Sequence, residues 1–132
     1  MNVNGLRVLL IDDTVLILQQ LQSLLEGVKK VAKTATATSA EQALAMLEKF
    51  QPHVMVLDIS MPGMGGIEML RQISMNKHLT RPVVIMLTNN TFSGCKDECM
   101  RLGADYFLDK SRDFMMIPSI VEKVEERNAL QY

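Results

Sequence analysis

The stretch His53–Gly66 reads HVMVLDISMPGMGG. A short apolar run ends in an aspartate, and a loop of Met, Pro and Gly follows. A buried, unpaired carboxylate is costly, so Asp58 must either surface at a strand end or be neutralised there. Val54–Leu57 is continuous and partly β-branched, the character of a strand covered on both faces. Leu6–Ile11, Val83–Leu87 and Tyr106–Leu108 repeat that character. Val31–Ala37 is a weaker strand that suits a sheet edge.

Helical patterns lie between these runs. Val15–Glu26 spaces apolar residues at helical intervals. The next helix, Ser39–Phe50, opens with Ser39 as N-cap and Gln42 three residues on, a capping-box arrangement, and Pro52 stops it. Gly66–Met75 and Phe92–Leu102 follow, the latter ended by Gly103. A last helix runs to about Arg127, with Pro118 in its first turn, where proline is tolerated. Five strands alternating with five helices predict an α/β domain, a doubly wound, five-stranded parallel sheet with helices on both faces; of the common orders for such sheets, the flavodoxin-like 2-1-3-4-5 is the one expected here, in keeping with the resemblance described below.

Ligands of such sheets bind beyond the carboxyl ends of the strands. That edge receives Asp12 and Asp13 from the first strand, Asp58 from the third, Thr88 from the fourth and Lys110 from the fifth. Any one strand-end aspartate reads equally as a turn or helix cap, and Asp13 before a helix fits that role. Five such residues arriving together do not. Three neighbouring carboxylates raise one another's pKa, and a hard divalent cation such as Mg²⁺, or Mn²⁺ in its place, resolves the repulsion. A carboxylate, a cation, a hydroxyl and a lysine suit phosphoryl transfer: Asp58 would attack phosphorus, the cation would stabilise developing charge, and Thr88 and Lys110 would bind phosphoryl oxygens. The chain has no P-loop or dinucleotide glycine motif, so it does not cradle a nucleotide donor in that way.

The bulk numbers are consistent with this. The 132 residues suit one domain with one core. With 48% hydrophobic and 22% charged residues the class is soluble globular, and a net charge of -1 gives no basic surface for direct nucleic-acid binding. No apolar run approaches the ~18–20 residues that span a membrane, and the start lacks the marks of a signal peptide, so a cytoplasmic protein with no membrane partner is expected. Cys95 and Cys99 share a helical face. Half a metal site or a redox pair would need further ligands, so reduced thiols are expected. The eleven methionines read as gap-fillers and contact surface.

Four motifs, IDD at Ile11–Asp13, VLDISMPGMGG at Val56–Gly66, LT at Leu87–Thr88 and GADYFLDK at Gly103–Lys110, occur in this order across nearly the whole chain. In this the sequence resembles the receiver domain of two-component response regulators, chemotaxis-regulator-like single-domain receivers among them. The resemblance implies that Asp58 is the phosphoacceptor. It also implies that Asp13, Asp58 and the Ser60 carbonyl ligate Mg²⁺, with Asp12 acting mainly through water. Thr88 and Phe107 match a switch pair whose coupling remodels the face made by the fourth helix, fifth strand and fifth helix. The implied partners are a sensor histidine kinase or phosphotransfer protein and a separate downstream protein. Only Asn128–Tyr132 follow the last helix, which predicts a stand-alone receiver with no output domain.

Three positions depart from the pattern. Gly65 stands where an aspartate commonly caps the third helix. Ser111 stands where a proline usually follows a cis bond, and a cis bond before serine would cost about 3–4 kcal/mol. Asn89 stands where a small residue is common, and either gates access to the phosphate site or points to solvent. Two rivals remain at this stage. A haloacid-dehalogenase-type phosphohydrolase would need Asp-x-Asp where Asp12 and Asp13 are adjacent, and more chain for its cap. An unphosphorylated interaction module would have no use for all five site residues.

Overall fold

The computed structural model describes residues 5–89 and 93–124, with the Ser93 side chain left aside. Five strands, β1 (Leu6–Ile11), β2 (Val31–Ala37), β3 (Val54–Leu57), β4 (Val83–Thr88) and β5 (Tyr106–Asp109), alternate with five helices. These are α1 (Val15–Leu25), α2 (Ala40–Phe50), α3 (Gly66–Met75), α4 (Ser93–Arg101) and α5 (Ile117–Lys123), the last entered through a 3-10 turn at Phe114–Met116. The sheet order is β2-β1-β3-β4-β5, all pairs parallel, as the alternation predicts.

Strand side chains alternate between two cores, one on each face of the sheet. Leu9, Ile11, Met55, Leu57, Val84 and Met86 pack with Ala43 and Leu47 of α2, Met69, Leu70 and Ile73 of α3, and the two α4 cysteines. Val8, Leu10, Val54, Val56, Ile85 and Leu87 pack with Leu18, Leu21 and Leu25 of α1 and with Ile117, Ile120 and Val121 of α5. β1, β3 and β4 are therefore apolar throughout because both faces are covered. The edge strand β2 is largely exposed until Ala37.

The α2 N-cap is as predicted: the Ser39 hydroxyl accepts from the Gln42 N–H at 3.0 Å. The reciprocal bond lands one residue earlier, with Gln42 Oε1 accepting the Thr38 N–H at 2.8 Å. The last helix is shorter than the sequence reading. Val124 is already extended (φ -73°, ψ 138°), and the Lys30 ammonium donates to the carbonyls of Glu122 and Val124, satisfying acceptors that another helical turn would have used. The remaining stretch, to Arg127 and on to Asn128–Tyr132, lies outside the described residues.

Both cysteines are free and buried. Burial, then the neighbouring Cys95 and Glu98, pushes the Cys99 thiol up to about 11. A raised value means that the thiol stays protonated, and so unreactive, until pH approaches it. At pH 8 iodoacetamide should therefore leave Cys99 unmodified in the folded protein, and burial alone should protect Cys95. The reagent should alkylate both in guanidinium, with mass spectrometry as the check.

Candidate functional site

Parallel register brings the carboxyl ends of β1, β3, β4 and β5 to one edge. Ile11 is level with Leu57, Leu57 with Met86, and Thr88 with Asp109. Backbone bonds carry this one residue further: the Asp12 N–H donates to Ala37 O (3.1 Å), the Asp58 N–H to Ile11 O (3.0 Å) and the Lys110 N–H to Thr88 O (3.0 Å). Asp12 and Asp58 thus belong to the last rungs of the sheet, and both are buried, as is Thr88. Asp13 is exposed.

Carboxylate oxygens of Asp12, Asp13 and Asp58 all lie within 4.8 Å of one another. Lys110 Nζ is 2.7 Å from Asp12 Oδ2 and 3.5 Å from Asp58 Oδ2. Asp12 Oδ1 also accepts the Thr14 N–H at 2.8 Å, so the aspartate that helps begin α1 is Asp12 and not Asp13. The Ser60 N–H faces Asp58 Oδ1 at 3.4 Å.

Burial raises the pKa of the Asp58 carboxyl; Lys110 opposes this, Asp12 adds to it, and the Ser60 N–H lowers it. The Lys110 ammonium is weakened by burial, but its hydrogen bond to Asp12 and the charges of Asp58 and Asp12 outweigh that and hold its pKa above the ordinary value. One ammonium against three carboxylates leaves two formal negative charges, the balance that a divalent cation with oxygen preference would meet. The donor set therefore fits Mg²⁺ or Mn²⁺.

The loop after β3 depends on glycine. A Cβ on Gly66 would lie 2.1 Å from the Asp58 carbonyl oxygen, and one on Gly65 3.1 Å from the Ile59 carbonyl oxygen. The Gly66 N–H donates to Ile59 O at 2.9 Å. The absence of a capping aspartate at Gly65 is thus tied to the close approach of α3 to the end of β3. At β5 the chain turns with no cis peptide among the described residues, so Lys110–Ser111 is trans. Asp109 Oδ1 accepts from the Ser111 N–H (2.8 Å), the Ser111 hydroxyl (2.7 Å) and the Arg112 N–H (3.2 Å), and Asp113 Oδ2 accepts from the Asp109 N–H (2.9 Å). Hydrogen bonds to Ser111, from its side chain first, hold the Asp109 carboxyl below its usual range. Sequence reasoning missed these two aspartates. Their spacing around Ser111 was the available signal, since Asp side chains commonly accept from N–H groups two or three residues on.

Thr88 shares its sheet face with Val84 and Met86, by strand alternation. Phe107 is level with Met86 and packs half-buried against the same core. The two members of the expected switch pair therefore stand on one face of adjacent strands. Asn89 follows Thr88 and is exposed; Asn90 lies outside the described residues. A cavity of about 700 Å³, lined in part by Arg7, Leu47, His53 and Leu79, opens at the opposite end of the strands and contains none of these groups.

Comparison with known proteins is consistent across sequence and structure. The sequence model of the response regulator receiver domain matches residues 8–122. The protein-glutamate methylesterase/protein-glutamine glutaminase of Treponema pallidum is 34% identical over 112 residues, covering 83% of this chain and 27% of that protein. The chain thus spans about a quarter of that relative's length. Among solved structures, the Vibrio cholerae chemotaxis protein CheY4 superposes with a TM-score of 0.79 at 26% identity, covering 92% of this chain and 99% of that one. The Mn²⁺-bound form of the response regulator Rcp1 gives a TM-score of 0.77 at 22% identity, covering 96% of each chain.

The raised Asp58 pKa has a consequence for stability. Between the unfolded and folded values the folded protein holds a proton that the unfolded chain has released. Stability is then complete below the unfolded value and is lost as pH rises through the folded one. At pH 7 without metal, ionised Asp58 opposes folding. Asp58→Asn should therefore raise the urea midpoint in EDTA at pH 7, and the gain should vanish near about pH 3, where both side chains are neutral. Added Mg²⁺ should reverse the ranking: at 100 times its Kd it contributes about 2.7 kcal/mol to the wild-type protein and less to the variant.

Proposed function

The chain belongs to the response regulator receiver domain family, and on that premise we propose that it is a phosphorylation-dependent signalling switch with Asp58 as phosphoacceptor. The observation that supports this most is the buried Asp58 carboxylate, gathered with Asp12 and Asp13 and bridged by Lys110. A sensor histidine kinase or a phosphotransfer protein is the proposed donor. An Asp58 oxygen attacks phosphorus in line, the P–N bond of the donor phosphohistidine breaks, and the imidazole leaves with its electron pair. The product is an acyl phosphate on Asp58.

Asp13, Asp58 and the Ser60 carbonyl, with Asp12 behind them, would hold Mg²⁺ or Mn²⁺, which would supply charge neutralisation at the phosphoryl oxygens. Lys110 pairs with Asp12 and Asp58 in the resting protein. Transfer of the phosphoryl group moves the negative charge outward and offers the ammonium a phosphoryl oxygen as a further anionic partner. Thr88 is the proposed hydroxyl donor to another phosphoryl oxygen. Its placement on the same face as Phe107 supports a coupled shift of the two, passed to α4, β5 and α5. Gly94 adds to this: a Cβ there would meet open space, so no close packing requires glycine, and glycine in a helix costs ~1 kcal/mol relative to alanine, which supports α4 as a segment that a few kcal/mol can bias. This switch is a signalling device and not a turnover enzyme. No helix among the described residues is long and apolar enough to cross a membrane.

Treatment with acetyl phosphate or phosphoramidate and Mg²⁺ should add one phosphoryl group per chain, and none to Asp58→Asn, by intact mass. Stoichiometric labelling of the Asn variant would assign the acceptor elsewhere. No labelling of either protein would favour a phosphorylation-independent interaction module. Steady turnover of a phosphate ester would restore the phosphohydrolase reading.

We further propose that Asn89 narrows the approach to phosphorus. Asn89 is exposed and directly follows Thr88, which supports a large, hydrogen-bonding side chain beside the path of donor and water, and Ser60 offers no strong general base for water. Asn89→Ala should then speed both phosphorylation by small donors and loss of the phosphoryl group, several-fold if the barrier falls ~1 kcal/mol. Equal rates in the two proteins at saturating Mg²⁺ would show that Asn89 is not the gate.

A further inference from the structure

The loop between β3 and α3 carries Ser60, whose carbonyl is a proposed metal ligand, so what holds this loop matters to the site. Two of its ties are local. The Ser60 N–H faces Asp58 Oδ1 at 3.4 Å, and the Gly66 N–H closes the base onto Ile59 O at 2.9 Å. The third comes from another element. Glu41, in the first turn of α2, reaches across 23 residues of sequence, and its Oε2 accepts the Met64 N–H at 3.2 Å. The same carboxylate covers Gly63, the turn residue with φ +76°, so closely that a Cβ there would lie 3.2 Å from Oε2.

The helix end that presents Glu41 is itself well anchored. Ser39 caps it, Thr38 bonds to Gln42, and Ala40, Ala43 and Leu47 are buried in the core. A carboxylate in the first turn also complements the positive end of the helix dipole. The loop, by contrast, is made of a proline, small residues and methionines, and its residues from Pro62 to Gly65 are exposed or half-buried. Rigid support from outside the loop is what a weakly packed ligand-bearing segment needs.

We propose that Glu41 is a positioning residue for the cation site: by accepting the Met64 N–H it holds the β3–α3 loop so that the Ser60 carbonyl stays in the ligand set with Asp13 and Asp58. This rests on the cation reading given under Proposed function. Glu41 touches neither cation nor phosphoryl group and acts only through the backbone. The requirement is for an acceptor oxygen and not for charge, so glutamine should serve and alanine should not.

The test compares wild-type protein, Glu41→Gln and Glu41→Ala. Mg²⁺ affinity is read by titration calorimetry, amide hydrogen exchange at Met64 is read in EDTA, and thermal unfolding is read in EDTA. Glu41→Ala should bind Mg²⁺ about five-fold more weakly, the equivalent of ~1 kcal/mol for one hydrogen bond. Its Met64 amide should exchange faster, by about the same factor. Glu41→Gln should stay within about two-fold of wild type on both measures. Loss of this hydrogen bond and of the first-turn carboxylate should lower the metal-free unfolding temperature of Glu41→Ala by only several degrees, so the variant is still folded when Mg²⁺ is titrated. Equal Mg²⁺ affinity in Glu41→Ala and wild type would overturn the role of Glu41, as would a glutamine variant as weak as alanine. A wild-type protein with no Mg²⁺ affinity would instead overturn the cation site itself.

Discussion

The pairing of Lys110 with Asp12 and Asp58 is the interaction on which this edge of the sheet depends. Two buried carboxylates one strand apart would otherwise face each other with an exposed third beside them. At a few ångströms and low local dielectric that repulsion is worth several kcal/mol. One ammonium, 2.7 Å from the first and 3.5 Å from the second, lets both remain where strand register puts them. It does not neutralise the cluster. The excess negative charge suits the site to a cation, and burial, with a smaller contribution from Asp12, raises the Asp58 pKa.

The same edge is built from close backbone approach. Gly66 lets α3 start against the Asp58 carbonyl, where any side chain would collide. That approach closes the base of the loop, where the Gly66 N–H donates to the Ile59 carbonyl at 2.9 Å. At β5, Asp109 gathers the N–H groups of Ser111 and Arg112 in the following turn, and Asp113 reaches back to the Asp109 N–H at the strand end, so Lys110 is presented by a trans chain.

The two cores divide the labour. The α1 and α5 side packs mainly aliphatic residues against β1, β3 and β4. The α2–α4 side is looser in composition, with methionines, alanines and the two cysteines, and includes Phe107 at its margin. Methionine and small residues tolerate rearrangement better than branched side chains. A core of that kind beneath Thr88 and Phe107 suits the two arrangements that the proposed switch requires.

Alternating short apolar runs and helical patterns determined the element order, and the parallel sheet follows because strands joined through helices pair in parallel. The acidic strand ends determined the edge at which the site lies, since residues just past buried strands must all emerge together. Those inferences rest on local periodicity, which a sequence carries directly. Tertiary structure alone decided that Asp12, and not Asp13, accepts the Thr14 N–H, and that Val124 leaves the helix where Lys30 meets its carbonyls. It likewise decided that Glu41 reaches the loop after Asp58. The first is a choice between neighbouring carboxylates with the same local spacing; the other two join groups far apart in the chain, 94 positions for Lys30 and Val124. Such choices are fixed by packing distances of a few ångströms, which no spacing along the sequence encodes.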